Sequence, residues 1–242
     1  MRLTIPRQVF LKFLATTEAL PGYFGRSMGR KLKRRLLADA QVRFDTVVAT
    51  LGPADTVIDF GANIGSVTAR LAETGATVHA YEPDPDTFAT LRANVAHLEN
   101  VFLFPEAVGS QAGIMTLYRA LLEMSPSEDL RAQSSSVVFI DRHSDPSNAV
   151  SVPVIAFSQA IARAGGQPRL IKMDIEGAET AILTQLLPKT MTSVDLAGLA
   201  LPFGAMFVET HEGMLREHWP EVQRLRAVAR ELRSSEINLY WP

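Results

Sequence analysis

The sequence predicts an α/β protein built on a doubly wound, mostly parallel sheet with a helical extension at its N-terminus. Three observations predict it. An apolar run, Thr56 to Phe60, opens through Gly61-Ala62-Asn63-Ile64-Gly65 into a helix-forming stretch, Ser66 to Glu73, the pattern of strand, tight turn and helix. Short apolar runs that close on an acid recur at Thr77 to Glu82, Leu170 to Asp174 and Ala205 to Glu209. Helix signals follow the first three of these four runs, and such alternation belongs to a parallel sheet.

Totals narrow the function classes. The 242 residues suit one α/β domain with an appendage. A formal net charge of −2 argues against a general nucleic-acid surface. There are no cysteines, which excludes disulfides, thiolate catalysis and Cys-rich zinc sites and fits a reducing, cytoplasmic setting. No apolar run approaches the ~20 residues that span a bilayer, and Arg7 and Lys12 interrupt any signal-peptide core. A soluble, non-exported protein is the expectation.

Taken in order, residues 1 to 56 read as helices broken at Pro6 and Pro21-Gly22. Phe10, Phe13, Leu14 and Thr17 share a face of the first. Leu32, Leu36, Ala40, Phe44, Val47 and Leu51 mark a second that should lie against the sheet, its other face basic with Arg26, Arg30, Lys31, Lys33, Arg34 and Arg35. That cluster suits a solvated helix face, or peripheral contact with an anionic membrane surface. After Glu82, Asp84 reads as a helix cap with Pro85 at the first helical position, and Phe88, Leu91 and Val95 give the buried face. A strand at Val101 to Phe104 then places Glu106 and Ala107 at the carboxyl end of the sheet, where ligands of such folds bind.

Gly113 to Tyr118 and Ser135 to Ile140 read as strands, separated by a polar loop, Ser125 to Ser134, with the character of a lid. Asp141 to Asp145 reads as a surface turn. A strand at Val150 to Ile155 and a short helix lead to Leu170-Ile171-Lys172-Met173-Asp174-Ile175-Glu176-Gly177-Ala178-Glu179. Side chains alternate along a strand, so Lys172 and Asp174 point the same way and can pair. His211 follows the strand ending at Glu209, a helix is expected over Glu221 to Leu232 and a last strand over Ile237 to Trp241.

The turn's residues discriminate between cofactors. A dinucleotide fingerprint begun at Gly61 requires glycine where Asn63 and Ser66 stand, so it fails twice. Asp59 before the turn would repel a pyrophosphate but attract an ammonium. S-adenosylmethionine carries one, and Glu82, at the next strand end, suits its ribose hydroxyls. The Gly61 to Gly65 turn, opening a helix, is the seat for its carboxylate.

Several segments together resemble the FkbM-type methyltransferases, a family of class I S-adenosylmethionine-dependent O-methyltransferases. They are Asp59 to Gly65 with Thr68, Tyr81-Glu82-Pro83, Glu106 to Gly109, Ile171 to Glu179, and Val208-Glu209-Thr210-His211. Of the pair Glu106-Ala107, Ala107 fits the family pattern. The resemblance implies a Rossmann-like seven-stranded sheet with an antiparallel last strand near Ile237 to Trp241. It divides the chain into a helical extension, residues 1–52, and a methyltransferase domain, residues 53–242.

The implied cofactor is S-adenosylmethionine, held by Asp59, Gly61, Ala62, Asn63, Gly65, Glu82, Pro83, Glu106 and Ala107, with Glu106 and Ala107 at the adenine. Asp174 and Glu176 would line the transfer point, and His211 or Asp174 would take the acceptor's proton. No metal is assigned, although Asp174, Glu176 and His211 offer donors that several divalent ions accept. The expected acceptor is a hydroxyl of a sugar, glycan or secondary metabolite. N-methylation and a non-catalytic S-adenosylmethionine-binding scaffold stand as alternatives.

Overall fold

The computed structural model describes residues 23–120, 144–175, 177–191, 195, 198–209, 221–222, 224–229, 232 and 235–241. Strand β1 (Thr56–Phe60) gives way at the glycine turn to helix α2 (Ser66–Ala72). It follows helix α1 (Tyr23–Val48), which contains the basic run from Arg26 to Arg35. Strand β2 (Thr77–Tyr81) and helix α3 (Pro85–Asn94) come next. Asp84 caps α3 as its sequence predicts, accepting from the N–H groups of Asp86 and Thr87 at 3.0 and 3.1 Å, with Pro85 at the helix start.

Strands β3 (Val101–Phe104), β4 (Ala107–Gly109), β5 (Gly113–Ala120) and β6 (Ser144–Ala156) follow, then α4 (Phe157–Arg163), β7 (Leu170–Met173), α5 (Glu179–Leu186), β8 (Ala205–Glu209) and β9 (Glu236–Trp241). The main sheet runs β3-β2-β1-β7-β8-β9 and a second sheet runs β4-β6-β5. Every pairing in the main sheet is parallel.

Three expectations are corrected here. Among the described residues the main sheet has six strands where the resemblance implied seven. Its last strand is parallel to its neighbour, not antiparallel: Ala205 pairs with Glu236 and Met206 with Ile237. The reason is the connection. Residues 221–222 and 224–229 are helical, and a helical crossover returns the chain to the same end of the sheet. The turn expected at 141–145 is strand where it is described, since Ser144 and Asp145 open β6.

Alternating strand residues feed two cores, one on each face. Ile58, Phe60, Ile171 and Met173 pack with Phe157 and Ile161 of α4 and Ile182 and Leu183 of α5. Val57, Val78 and Phe207 pack on the other face with Phe44 of α1, Leu71 of α2 and Leu91 of α3. Helix α1 therefore lies against the sheet. Its Phe44 meets Phe207 edge to face at 5.3 Å, and burying such a ring contributes about 2 to 3 kcal/mol. None of the described helices is long and apolar enough to cross a membrane.

Candidate functional site

Parallel register brings five strand ends level. Phe60 pairs with Tyr81 and Met173, Tyr81 with Phe104, and Met173 with Val208. Gly61, Glu82, Pro105 and Asp174, which follow those ends, and Glu209, the last residue of β8, therefore share one edge of the sheet, where ligands of doubly wound folds bind.

Backbone geometry explains the glycines at this edge. Gly61 has φ 74° and Gly65 φ 96°, the left-handed region that glycine reaches without strain. A β-carbon on Gly61 would stand 1.7 Å from the carbonyl oxygen of Asp174, so the turn is pressed directly against the end of β7. On Gly65 it would meet the Leu91 side chain of α3 at 2.8 Å. Among the described residues Asn63 is the non-glycine residue with positive φ, 52°, and its Oδ1 accepts from the Ile64 N–H at 2.7 Å.

The turn's amides are not left for an anionic group, contrary to the sequence expectation. Gly61 and Ala62 donate to Tyr81 O at 3.0 and 2.9 Å, and Gly65 donates to Ala62 O at 3.0 Å. Asn63 donates to Glu82 Oε2 at 2.9 Å. With the Ile64 bond, all five are spent inside the protein. The turn thus offers a fixed shape, not a set of free donors.

Asp59 sits behind this turn and is fully buried. Its Oδ2 accepts from the Thr68 hydroxyl at 2.7 Å, and its Oδ1 lies 3.3 Å from Lys172 Nζ. The same ammonium donates to Gly61 O at 2.6 Å and stands 3.7 Å from Asp174 Oδ2. Lys172 and Asp174 do face the same way. Burial pushes Asp59 above the ordinary carboxylate range, against the pull of Lys172 and Thr68. Burial, the largest single influence on Lys172, opposes its charge, but the carboxylates of Asp59, Asp174 and Glu209 hold the ammonium above its ordinary value. Asp174, about a quarter exposed, is the member of this cluster open to a ligand.

Glu82 is also buried, and both its oxygens are engaged: Oε2 by Asn63 and Oε1 by the Asp84 N–H at 3.0 Å. Burial lifts its carboxyl to about 7, although those two N–H groups pull it down. Unfolded, it titrates near 4.5, so between about 4.5 and about 7 the folded state holds a proton that the unfolded state has lost. Stability must then fall as pH rises through that window, by on the order of 3 kcal/mol from this group. Unfolding midpoints measured from pH 4 to 8 should show the decline, and Glu82→Gln should remove that part of it. A decline of the same size in the variant would place its origin elsewhere.

The remaining predicted residues divide. Pro83 follows Glu82 and is half-buried, and Ala107 opens β4. Glu106 is engaged by Arg163 at the end of α4, whose guanidinium lies 4.5 Å over the Phe104 ring. Glu176, His211, the 125–134 loop, the strand expected over 135–140 and the first expected helix lie outside the described residues. Two contributors went unread in the sequence. Glu179 shapes the Asp174 loop by accepting from the Ile175 and Gly177 N–H groups at 3.1 and 2.9 Å, an acid at a helix start that local spacing signals. Arg119 of β5 grips Asp84 at 2.5 Å across 35 residues, which no local signal reveals.

The family model described as Methyltransferase FkbM domain matches residues 59–234. Among curated relatives, 31-O-demethyl-FK506 methyltransferase FkbM of Streptomyces tacrolimicus is 33% identical over 155 residues, 55% of this chain and 60% of that protein. Ribosomal RNA small subunit methyltransferase A of Thermotoga maritima is 35% identical over 91 residues, 37% of this chain and 32% of that protein. The chain thus spans less than two thirds of the length of these relatives. Among solved structures, an rRNA methylase from Streptococcus thermophilus has a TM-score of 0.25 at 16% identity, covering 37% of this chain and 57% of that one. P. horikoshii TYW2 in complex with MeSAdo has a TM-score of 0.23 at 18% identity, covering 37% and 47%.

Proposed function

Because the chain belongs to the FkbM methyltransferase family, we propose that it methylates a hydroxyl of a sugar, glycan or secondary metabolite, with S-adenosylmethionine as donor. One observation carries the proposal: the register sets Gly61, Glu82 and Asp174 level at the carboxyl edge, with the turn closed against the Asp174 carbonyl. A cofactor with a ribose, an ammonium and a cationic centre fits that edge, because its exposed charge is acidic.

When bound, S-adenosylmethionine supplies a methyl group on a sulfonium sulfur. Glu82 would receive the ribose hydroxyls, and the Gly61 to Gly65 turn would fix the level of the methionine end. Asp59 acts from behind, holding the turn through Thr68 and Lys172. At the open side Asp174, 3.7 Å from the Lys172 ammonium, would orient the acceptor hydroxyl and take its proton on a carboxylate oxygen. His211 is the second candidate for that proton.

Calorimetric titration with S-adenosylmethionine and separately with NADH tests the donor assignment. Binding of the methyl donor alone is expected, and tight NADH binding without it would overturn the reading. Radiolabelled methyl transfer to a panel of hydroxylated acceptors tests the rest. Asp174→Asn should retain donor affinity and lose about 100-fold or more in turnover. Unchanged turnover would move the proton to another acceptor.

A further inference from the structure

The two sheets meet at a side-chain contact that the methyl-transfer reading does not use. Arg119, on β5 of the second sheet, reaches Asp84, between β2 and α3 of the main one. Its Nε lies 2.5 Å from Asp84 Oδ2 and its NH2 3.2 Å from Oδ1, so the guanidinium fixes the plane of a carboxylate that is 4% exposed. Its NH1 also pairs with the exposed Asp86 at 3.1 Å. Capping α3 does not require this grip, since Asp84 already accepts two helix N–H groups. What the grip adds is a fixed residue 84, whose backbone N–H holds Glu82 Oε1 at 3.0 Å.

We propose that Arg119 is a positioning residue for the ribose end of the cofactor site, holding Glu82 in place through Asp84. The proposal rests on the reading of Glu82 as the ribose acceptor. In it the second sheet takes part in donor binding without touching the donor. Loss of Arg119 would leave the Asp84 charge uncompensated beside Glu82 and loosen the N–H that Glu82 accepts. Both changes favour the protonated carboxyl, which cannot accept hydrogen bonds from both ribose hydroxyls. The other groups bearing on Glu82 are the Asn63 N–H from the turn and Lys172 from β7, and they are unchanged by the substitution.

The test is calorimetric titration with S-adenosylmethionine from pH 5.5 to 9, with unfolding midpoints of the ligand-free protein over the same range. In the wild type, affinity should rise about tenfold between pH 6 and 8 as Glu82 ionises. Arg119→Met should weaken binding about tenfold at pH 7 and displace the rise by about half a unit or more to higher pH. The ligand-free unfolding profile should move the same way, which loss of a purely structural ion pair would not do. Arg119→Lys should give a smaller displacement of the same sign, and it serves if the methionine variant fails to fold. Asp86→Ala, which removes only the exposed partner, should leave both profiles in place. Profiles of Arg119→Met that superimpose on the wild type would overturn the proposal. A wild type without S-adenosylmethionine affinity would remove the ribose reading, and the unfolding profile would then decide whether Arg119 acts on Glu82.

Discussion

Gly61→Ala is expected to lose about 4 kcal/mol or more of stability and to abolish cofactor binding under conditions where the wild type binds. Two costs coincide at this one position. The residue has φ 74°, where a β-carbon is strained, and that carbon would lie 1.7 Å from the Asp174 carbonyl oxygen. Relief cannot come from a side-chain rotamer, because the obstacle is backbone. Either the turn lifts, breaking the Lys172 bond to Gly61 O, or the end of β7 retreats and takes Asp174 with it. Urea unfolding and donor titration together measure both losses. An unfolding midpoint equal to that of the wild type would mean that the turn does not abut β7.

Lys172→Met is expected to lose about 3 to 5 kcal/mol, the usual result of removing one partner from a buried ion pair. Asp59 is the reason. It is fully buried and would be left with the Thr68 hydroxyl while keeping its desolvation penalty. The double variant Asp59→Asn/Lys172→Met, in which neither charge remains, should recover at least half of that loss. A double-mutant cycle in urea separates the pair from its surroundings. If the double variant is no more stable than Lys172→Met alone, the main role of Lys172 is its bond to Gly61 O.

Much of this was legible in the sequence because the signals are local. The apolar run of Thr56 to Phe60, the glycines of the turn and the Asp84-Pro85 cap each depend on neighbours within four residues, and each forms as read. So does the common orientation of Lys172 and Asp174, which follows from strand period alone. What stayed hidden depends on distant partners. The turn's amides read as free donors because Tyr81 O, 20 and 19 residues beyond Gly61 and Ala62, and the Glu82 carboxylate, 19 beyond Asn63, absorb three of them only once β1 and β2 pair. Asp59 read as a ligand contact for the same reason, since Lys172 is 113 positions away. The helix before β9 was legible at Glu221 to Leu232, but the antiparallel direction came from the resemblance, and the pairing with β8 is parallel.

The level register of the strand ends also has a consequence for altering this protein. The acids come together because each strand delivers its last residue to the same height, so adding or removing one residue inside β1, β2 or β7 would shift an acid and turn it to the opposite face. The far edge carries no such demand. Gly165 and Gly166, with open space where their β-carbons would stand, lie in the loop that leads to the start of β7 at Leu170. About 13 Å of extended strand separates that start from Asp174. A fluorophore, an affinity handle or a tether to a partner enzyme spliced in there would leave the acidic edge undisturbed.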